Sequence, residues 1–253
     1  MKKAIILAAG RGERMRPLTD STPKPLLTVH GKALIEWHLE ALARGGVREV
    51  VINTAWLEDQ IVAALGDGAR WGVRIHYSME GRDHGGALET AGGIAKALPL
   101  LAAHDDAVFW VVSADIFAPG FAFDAAVAER FAGSAQLAHL WLVDNPPFHP
   151  HGDFGLTAQG FGLADSAGPD GRRWTYANLA LCRAALCSAI VPGTRAALGP
   201  LLFDGMRARR ITAEVYRGAW ENLGTPAQLE ALNASVRPAS PASGGGRKRQ
   251  LSR

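Results

Sequence analysis

Cysteine is almost missing from this chain: two of 253 residues, Cys182 and Cys187. A chain of that length buries enough apolar surface to stand without crosslinks, so a disulfide framework is excluded and a reducing compartment, the cytoplasm, is expected. A lone C-x4-C pair makes a poor metal site, and both cysteines read as small core residues. The eight histidines, including His149 and His151 of FHPHGDF, show no ligand spacing either. That segment reads as a loop near an acceptor site. No apolar run approaches the ~20 residues of a membrane-spanning helix. MKKAIILAAG places two lysines before an apolar stretch, but the stretch is only about seven residues long and runs into GRGERMR. It reads as a buried first strand. No internal repeat is visible.

Acidic residues are missing from one place, the last segment RPASPASGGGRKRQLSR. It carries Arg237, Arg247, Lys248, Arg249 and Arg253, and these account for the formal charge of +3. Without them, 22 Lys and Arg face 24 Asp and Glu, a net charge of −2. Residues 237–253, rich in Pro, Ser and Gly, are expected to form a disordered, solvated tail. The basic balance therefore does not mark the body as a nucleic-acid or membrane binder, and neither is expected as a partner.

What is present is a strand–helix alternation up to about residue 145. KAIILAA, EVVINT, VRIHYS and AVFWVVSAD are short apolar runs, as in strands buried on both faces of a parallel sheet. ALIEWHLEALARGG, WLEDQIVAALG and ALETAGGIAKALPLL carry helical spacing between them, two of them closed by glycine. Such alternation implies an α/β layered fold with right-handed crossovers. After LAHLWLVDNPP the character changes. DFGLT, GFGLAD and RRWTYANLALC read as strands around turns, PDG among them. A helix near ALGPLLFDGMRARR, a strand ITAEVYR and a last helix TPAQLEALNASV follow. Thr225 suits the N-cap of that helix and Pro226 its first position. One domain over 1–236 is expected, with a nucleotide half (1–145) and an acceptor half (146–236).

The opening loop lacks the marks of the two familiar phosphate loops. LAAGRGERMRPLT has Arg14 and Met15 where G-x-G-x-x-G needs its last glycine, and no GK[ST]. It offers backbone N–H groups around Gly10, Gly12 and Glu13, and the guanidiniums of Arg14 and Arg16, whose forks match phosphate oxygens. TPKPLL holds Lys24 between Pro23 and Pro25, which fix the local backbone and direct the ammonium. Asp115 ends AVFWVVSAD. In an open α/β sheet, ligands sit at the carboxyl ends of the strands, so loop and acid share one edge. A carboxylate there can recruit Mg²⁺, a hard cation that takes oxygen ligands.

Together LAAGRGERMRPLT, TPKPLL, LETAGGI, SADIF and WENLGTP resemble the sugar-phosphate nucleotidylyltransferase family, over nearly the whole chain to about residue 236. The resemblance implies a Rossmann-like, mixed, mostly parallel sheet flanked by helices, and a reaction between an NTP and a sugar 1-phosphate that yields an NDP-sugar and pyrophosphate. It implies Arg14, Lys24 and Asp115 as catalytic residues. Leu7, Ala8, Gly10, Gly12, Glu13, Glu80 and Ala87 join Arg14 and Lys24 around the nucleotide. Ser113, Asp144, Tyr176, Asn178 and Glu221 fall to the acceptor, and Mg²⁺ to Asp115 and Asn222. Glu13, the segment EGRDHGGALETAGGI and the short length place the likeness nearest the subgroup that transfers uridylyl to N-acetylmuramic acid 1-phosphate in cell-wall recycling. UTP is then the favoured nucleotide, and the protein a monomer or homodimer.

Two departures stand out. Many relatives have W-x-D-x-G-T, whereas here Trp220 is followed by Glu221 and Asn222, an uncharged oxygen donor. SAD replaces an Asn-containing N-x-D at Ser113. These leave open guanylyl transfer to mannose 1-phosphate, and a regulatory subunit that binds nucleotide without turnover. Trp141, Trp174 and Phe148 read as core, and Asn178 either as a sugar reader or as a structural residue.

Overall fold

The computed structural model describes residues 3–235; the expected tail lies outside the described residues. A seven-stranded sheet runs through the molecule. Its first part is β1 (Lys3–Leu7), α1 (Leu34–Arg44), β2 (Glu49–Thr54), α2 (Glu58–Leu65), β3 (Arg74–Met79), α3 (Glu89–Leu101) and β4 (Val108–Ser113). A two-residue strand β5 (Ile116–Phe117), α4 (Ala125–Ala132) and β6 (Ala138–Val143) follow. The second part adds β7 (Thr175–Arg183), α5 (Leu198–Arg207), β8 (Ile211–Val215), a short β9 (Glu221–Asn222) and α6 (Pro226–Ala234). The order is β8-β6-β7-β4-β1-β2-β3. β4, β1, β2 and β3 are parallel, β8 runs parallel to β6, and β7 is antiparallel to both its neighbours.

This is the mixed, mostly parallel sheet with flanking helices that the resemblance implies. Ile5, Ile6, Val50, Val51, Ile52, Val111 and Val112 are almost wholly buried, as strands covered on both faces require. Thr225 caps α6, its hydroxyl accepting from the Gln228 amide at 3.3 Å, with Pro226 opening the helix. Cys182 and Cys187 are free and buried. Trp141 and Trp174 are core residues as expected, but Phe148 is 52% exposed. Asn178 belongs to a central strand. It sits at φ +58° where the β7–β6 register slips between Tyr176 and Ala180.

His38 ties α1 to the segment that carries the site. It is buried, and its Nε2–H donates to the carbonyl of Ile116 at 2.9 Å. Burial lowers its pKa from 6.5 to about 4, so the folded protein holds a neutral ring. Between those values the unfolded chain binds a proton that the folded chain refuses. The contribution is therefore complete above 6.5 and is lost as pH falls toward 4, by about 3 kcal/mol in all. Melting temperature should drop between pH 7 and 4.5, with a shallower slope in His38→Asn. Parallel slopes for the two proteins would show that another group governs the loss.

Candidate active site

The carboxyl ends of β1, β2 and β4 converge on one edge, and the opening loop leaves β1 there. The Ala8 amide is held by Asn53 Oδ1 at 2.8 Å, fixing the loop to the end of β2. Gly12 adopts φ +69°, and a Cβ on it would stand 3.0 Å from Thr19 Cγ2 and 3.3 Å from Lys24 Cβ. Only glycine lets the loop cross the Lys24 stem in this conformation. The Thr19 hydroxyl donates to the Gly12 carbonyl at 2.8 Å, and a 3-10 turn over Glu13–Met15 buries Met15 while leaving Glu13 and Arg14 exposed.

The two arginines diverge. Arg16 is committed to Asp20 at 2.6 Å on the surface and does not line the cavity below. Arg14 makes no hydrogen bond or ion pair among the described residues and lies beside Gly224, where a Cβ would come 3.4 Å from its Nη1. Its fork is available to an anion. Arg11, at the same rim, stacks 4.5 Å above the ring of Trp56.

Lys24 Nζ meets Asp115 Oδ2 at 2.9 Å. The lysine side chain is 10% exposed and the aspartate 35%, so the pair stands at the cavity wall with the carboxylate toward solvent. β4 ends at Ser113, and Asp115 lies in the following turn. That turn is clamped by the C-terminal segment: Asn222 pairs with Ile116 across β9 and β5, and the Leu223 amide donates to the Asp115 carbonyl at 3.0 Å. Asn222 is thereby brought beside Asp115 across more than a hundred residues of chain. Among the described residues its Oδ1 is buried without a hydrogen-bond partner, which for an amide oxygen is an unmet demand.

Two cavities of about 640 and 630 Å³ adjoin along this edge and share Leu7, Glu89, Thr90 and Ser113. Leu7, Ala8, Gly10, Gly12, Glu13, Arg14, Lys24, Ala87 and Asp115 line the first. Tyr176, Asn178 and Asn222 line the second, with apolar walls from Phe148, Phe154, Leu198, Leu202, Phe203 and Trp220.

Three residues stand elsewhere. Glu80 is fully buried behind the first cavity. Its carboxylate accepts from Asn53 Nδ2 at 2.7 Å and from the Leu88 amide at 2.7 Å. Burial raises its pKa, partly offset by those bonds and by Lys96. It braces the loops on either side of the first cavity and has no surface to offer a ligand. Asp144 points outward to Arg172 at 2.7 Å and Arg217 at 3.2 Å and lines neither cavity. Glu221 is exposed on the outer side of β9, because neighbours on an extended segment face opposite ways.

The sequence motifs do not single out Asn53, Glu89 or Thr90, and they place His149 and Asp153 only within a loop near the acceptor, which is where the second cavity has them. Asn53 was reachable, since it sits at the carboxyl end of a parallel strand. Glu89 was not: it holds φ +61° at the shared wall, a backbone state that no residue pattern announces for a glutamate.

A strand order with one antiparallel insertion, a glycine loop at its edge and twin cavities beyond it describe the fold of nucleotide-diphospho-sugar transferases. By structure the chain is similar to a putative glucose-1-phosphate thymidylyltransferase from Bacillus anthracis, solved in complex with a sucrose: TM-score 0.75 at 22% identity, over 92% of this chain and 94% of that one. Residues 3–166 match the nucleotidyl transferase family model, and the chain belongs to that family. It is 45% identical over 237 residues to an N-acetylmuramate alpha-1-phosphate uridylyltransferase of Neisseria meningitidis serogroup B, covering 92% of this chain and 97% of the relative. A protein of the same description from Caulobacter vibrioides is 34% identical over 93% of this chain and 97% of its own length.

Proposed function

We propose that this enzyme transfers uridylyl from UTP to N-acetylmuramic acid 1-phosphate with Mg²⁺, releasing pyrophosphate. The observation that carries this reading is the pair of adjoining cavities, which meet at Leu7, Glu89, Thr90 and Ser113 with the Lys24–Asp115 pair in the wall of the first. The two relatives of that description, alike over nearly their full length, support the choice of nucleotide and sugar.

The nucleotide lies in the first cavity, its triphosphate against the amides of Gly10 to Glu13. The acceptor enters the second, with its phosphate directed at the shared wall. That phosphate already carries a nucleophilic oxygen, so the protein's task is alignment and charge neutralisation. Arg14, unpaired beside Gly224, takes the departing pyrophosphate. Lys24 counters charge that grows on the reacting phosphate. Ser113 presents its hydroxyl where the two substrates meet.

The donor set fits Mg²⁺. Among the described residues no group of three His, Cys, Asp or Glu is placed to hold a metal. Asp115 and the orphaned Asn222 Oδ1 offer one charged and one neutral oxygen, suited to a cation that keeps waters and phosphate oxygens as its other ligands. When bound, Mg²⁺ supplies positive charge to the phosphates. Asn222→Asp should lower the Mg²⁺ concentration needed for half-maximal activity; an unchanged titration would remove Asn222 from the metal's surroundings.

A panel of four NTPs against several sugar 1-phosphates, read by pyrophosphate release, tests the reading. Highest kcat/KM with UTP and N-acetylmuramic acid 1-phosphate is expected. A maximum with GTP and mannose 1-phosphate would reassign the substrates, and nucleotide binding without pyrophosphate release would indicate a regulatory subunit.

A further inference from the structure

The second cavity has an uneven charge. Its walls are mostly apolar, and it is lined by two carboxylates, Glu89 and Asp153, and by one side chain able to carry positive charge, His149. Glu89 is engaged by Arg195 at 3.4 Å, at the wall shared with the first cavity. The arginines around this half are committed elsewhere. Arg172 and Arg217 hold Asp144 and stack on Trp174, and Arg173 donates to the carbonyls of Asp153, Ala164 and Ser166.

His149 is not a loose surface ring. Its segment is folded by Asn145, whose amide donates to the carbonyls of Pro150 at 3.1 Å and Arg173 at 3.0 Å, while the Thr175 hydroxyl donates to Asn145 Oδ1 at 2.9 Å. Gly152, at φ +62°, has no room for a Cβ, which would stand 2.7 Å from Asn145 Oδ1. The ring is set by Asp153, with Nε2 to Oδ1 at 3.0 Å, and Asp153 is itself anchored by the Tyr176 amide on Oδ2 at 2.7 Å. No hydrogen bond occupies Nδ1 among the described residues. Phe148, half exposed, forms the rim next to it.

We propose that His149, oriented by Asp153, reads the carboxylate substituent of the acceptor sugar and so selects an acidic sugar 1-phosphate over its neutral counterparts. The inference rests on the acceptor proposed above, which differs from N-acetylglucosamine 1-phosphate by an ether-linked lactic acid. An imidazolium donates from both nitrogens. Asp153 takes one N–H and the substrate carboxylate takes the other, so the lactic acid finds its single counter-charge at the cavity rim. Asp153 acts through the ring as a positioning residue.

The test compares wild type, His149→Gln and Asp153→Asn at saturating UTP on three acceptors. These are N-acetylmuramic acid 1-phosphate, its carboxamide, and N-acetylglucosamine 1-phosphate. His149→Gln should raise KM for the acid about tenfold to a hundredfold, the range for a hydrogen bond to a charged group. Its kcat, its KM for UTP and its KM for N-acetylglucosamine 1-phosphate should stay near wild type. The carboxamide should cost wild type a similar factor and cost His149→Gln nothing further. Asp153→Asn should shift the same KM in the same direction. Equal losses on acidic and neutral acceptors, an unchanged KM for the acid, or a carboxamide penalty that persists in His149→Gln would each overturn the inference alone. A wild-type enzyme that does not turn over N-acetylmuramic acid 1-phosphate would overturn the acceptor assignment and this inference together.

Discussion

Lys24→Ala is expected to lower kcat by about a thousandfold while leaving the melting temperature within a few degrees of wild type. The two halves of that result have separate origins. The ammonium is nine-tenths buried at the cavity wall and fixed 2.9 Å from Asp115, so it acts in a site where water contributes little screening. Removing one preorganised charge from such a place typically costs two to three orders of magnitude in rate. The fold survives because Asp115 is 35% exposed, and water can solvate it once its partner is gone. The measurement is steady-state kinetics beside a thermal melt. A kcat within about threefold of wild type would take Lys24 out of the reaction, and a collapsed melt would make its role structural.

Gly93→Ala is expected to destabilise the protein by about 3 kcal/mol, a fall of roughly 6–12 °C in melting temperature. Gly93 lies in α3 facing the Glu80 brace. A methyl group there would stand 2.5 Å from Glu80 Oε1 and 2.6 Å from Asn53 Nδ2, inside the hydrogen bond that joins them. Neither atom can retreat freely, because Glu80 also holds the Leu88 amide and Asn53 holds the Ala8 amide. The cost combines overpacking with a buried polar pair pushed apart. Since Ala8 and Leu88 flank the first cavity, where the nucleotide is proposed to bind, KM for the nucleotide should rise in the surviving folded fraction. A melt unchanged within about 1 °C would mean that the helix shifts to absorb the methyl group.

The sequence was most readable where chemistry and backbone agree. The loop from Leu7 to Met15, the Pro-flanked Lys24 and the strand-end acid each declare themselves by residue type, and the parallel sheet brings their backbones to one edge. Side-chain direction was not readable. Glu80 and Asp144 have the composition of ligand-binding acids, but one turns into the brace and the other out to two arginines. The difference is set by tertiary partners, not by spacing. Phe148 failed for the opposite reason: an aromatic beside Pro-Pro reads as core, yet the turn closed by Asn145 holds it at a cavity rim. His149 and Asp153 were visible as residues. Their use depends on the Tyr176 amide, 23 positions away, and no local pattern conveys that.

The insertion of β7 between β4 and β6 has a consequence for how the protein is made. A ribosome delivers β6 some thirty residues before the strand that joins it to the rest of the sheet. Until then β6 has both edges bare, with β8 also still to come. The first 145 residues are thus not a unit of assembly: a nascent chain stopped at Asn145 carries a four-stranded sheet and a stray apolar segment. Only when Leu223 has emerged can its amide clamp the turn of Asp115. The charged centre is finished almost last, so an incomplete chain cannot hold it in working geometry.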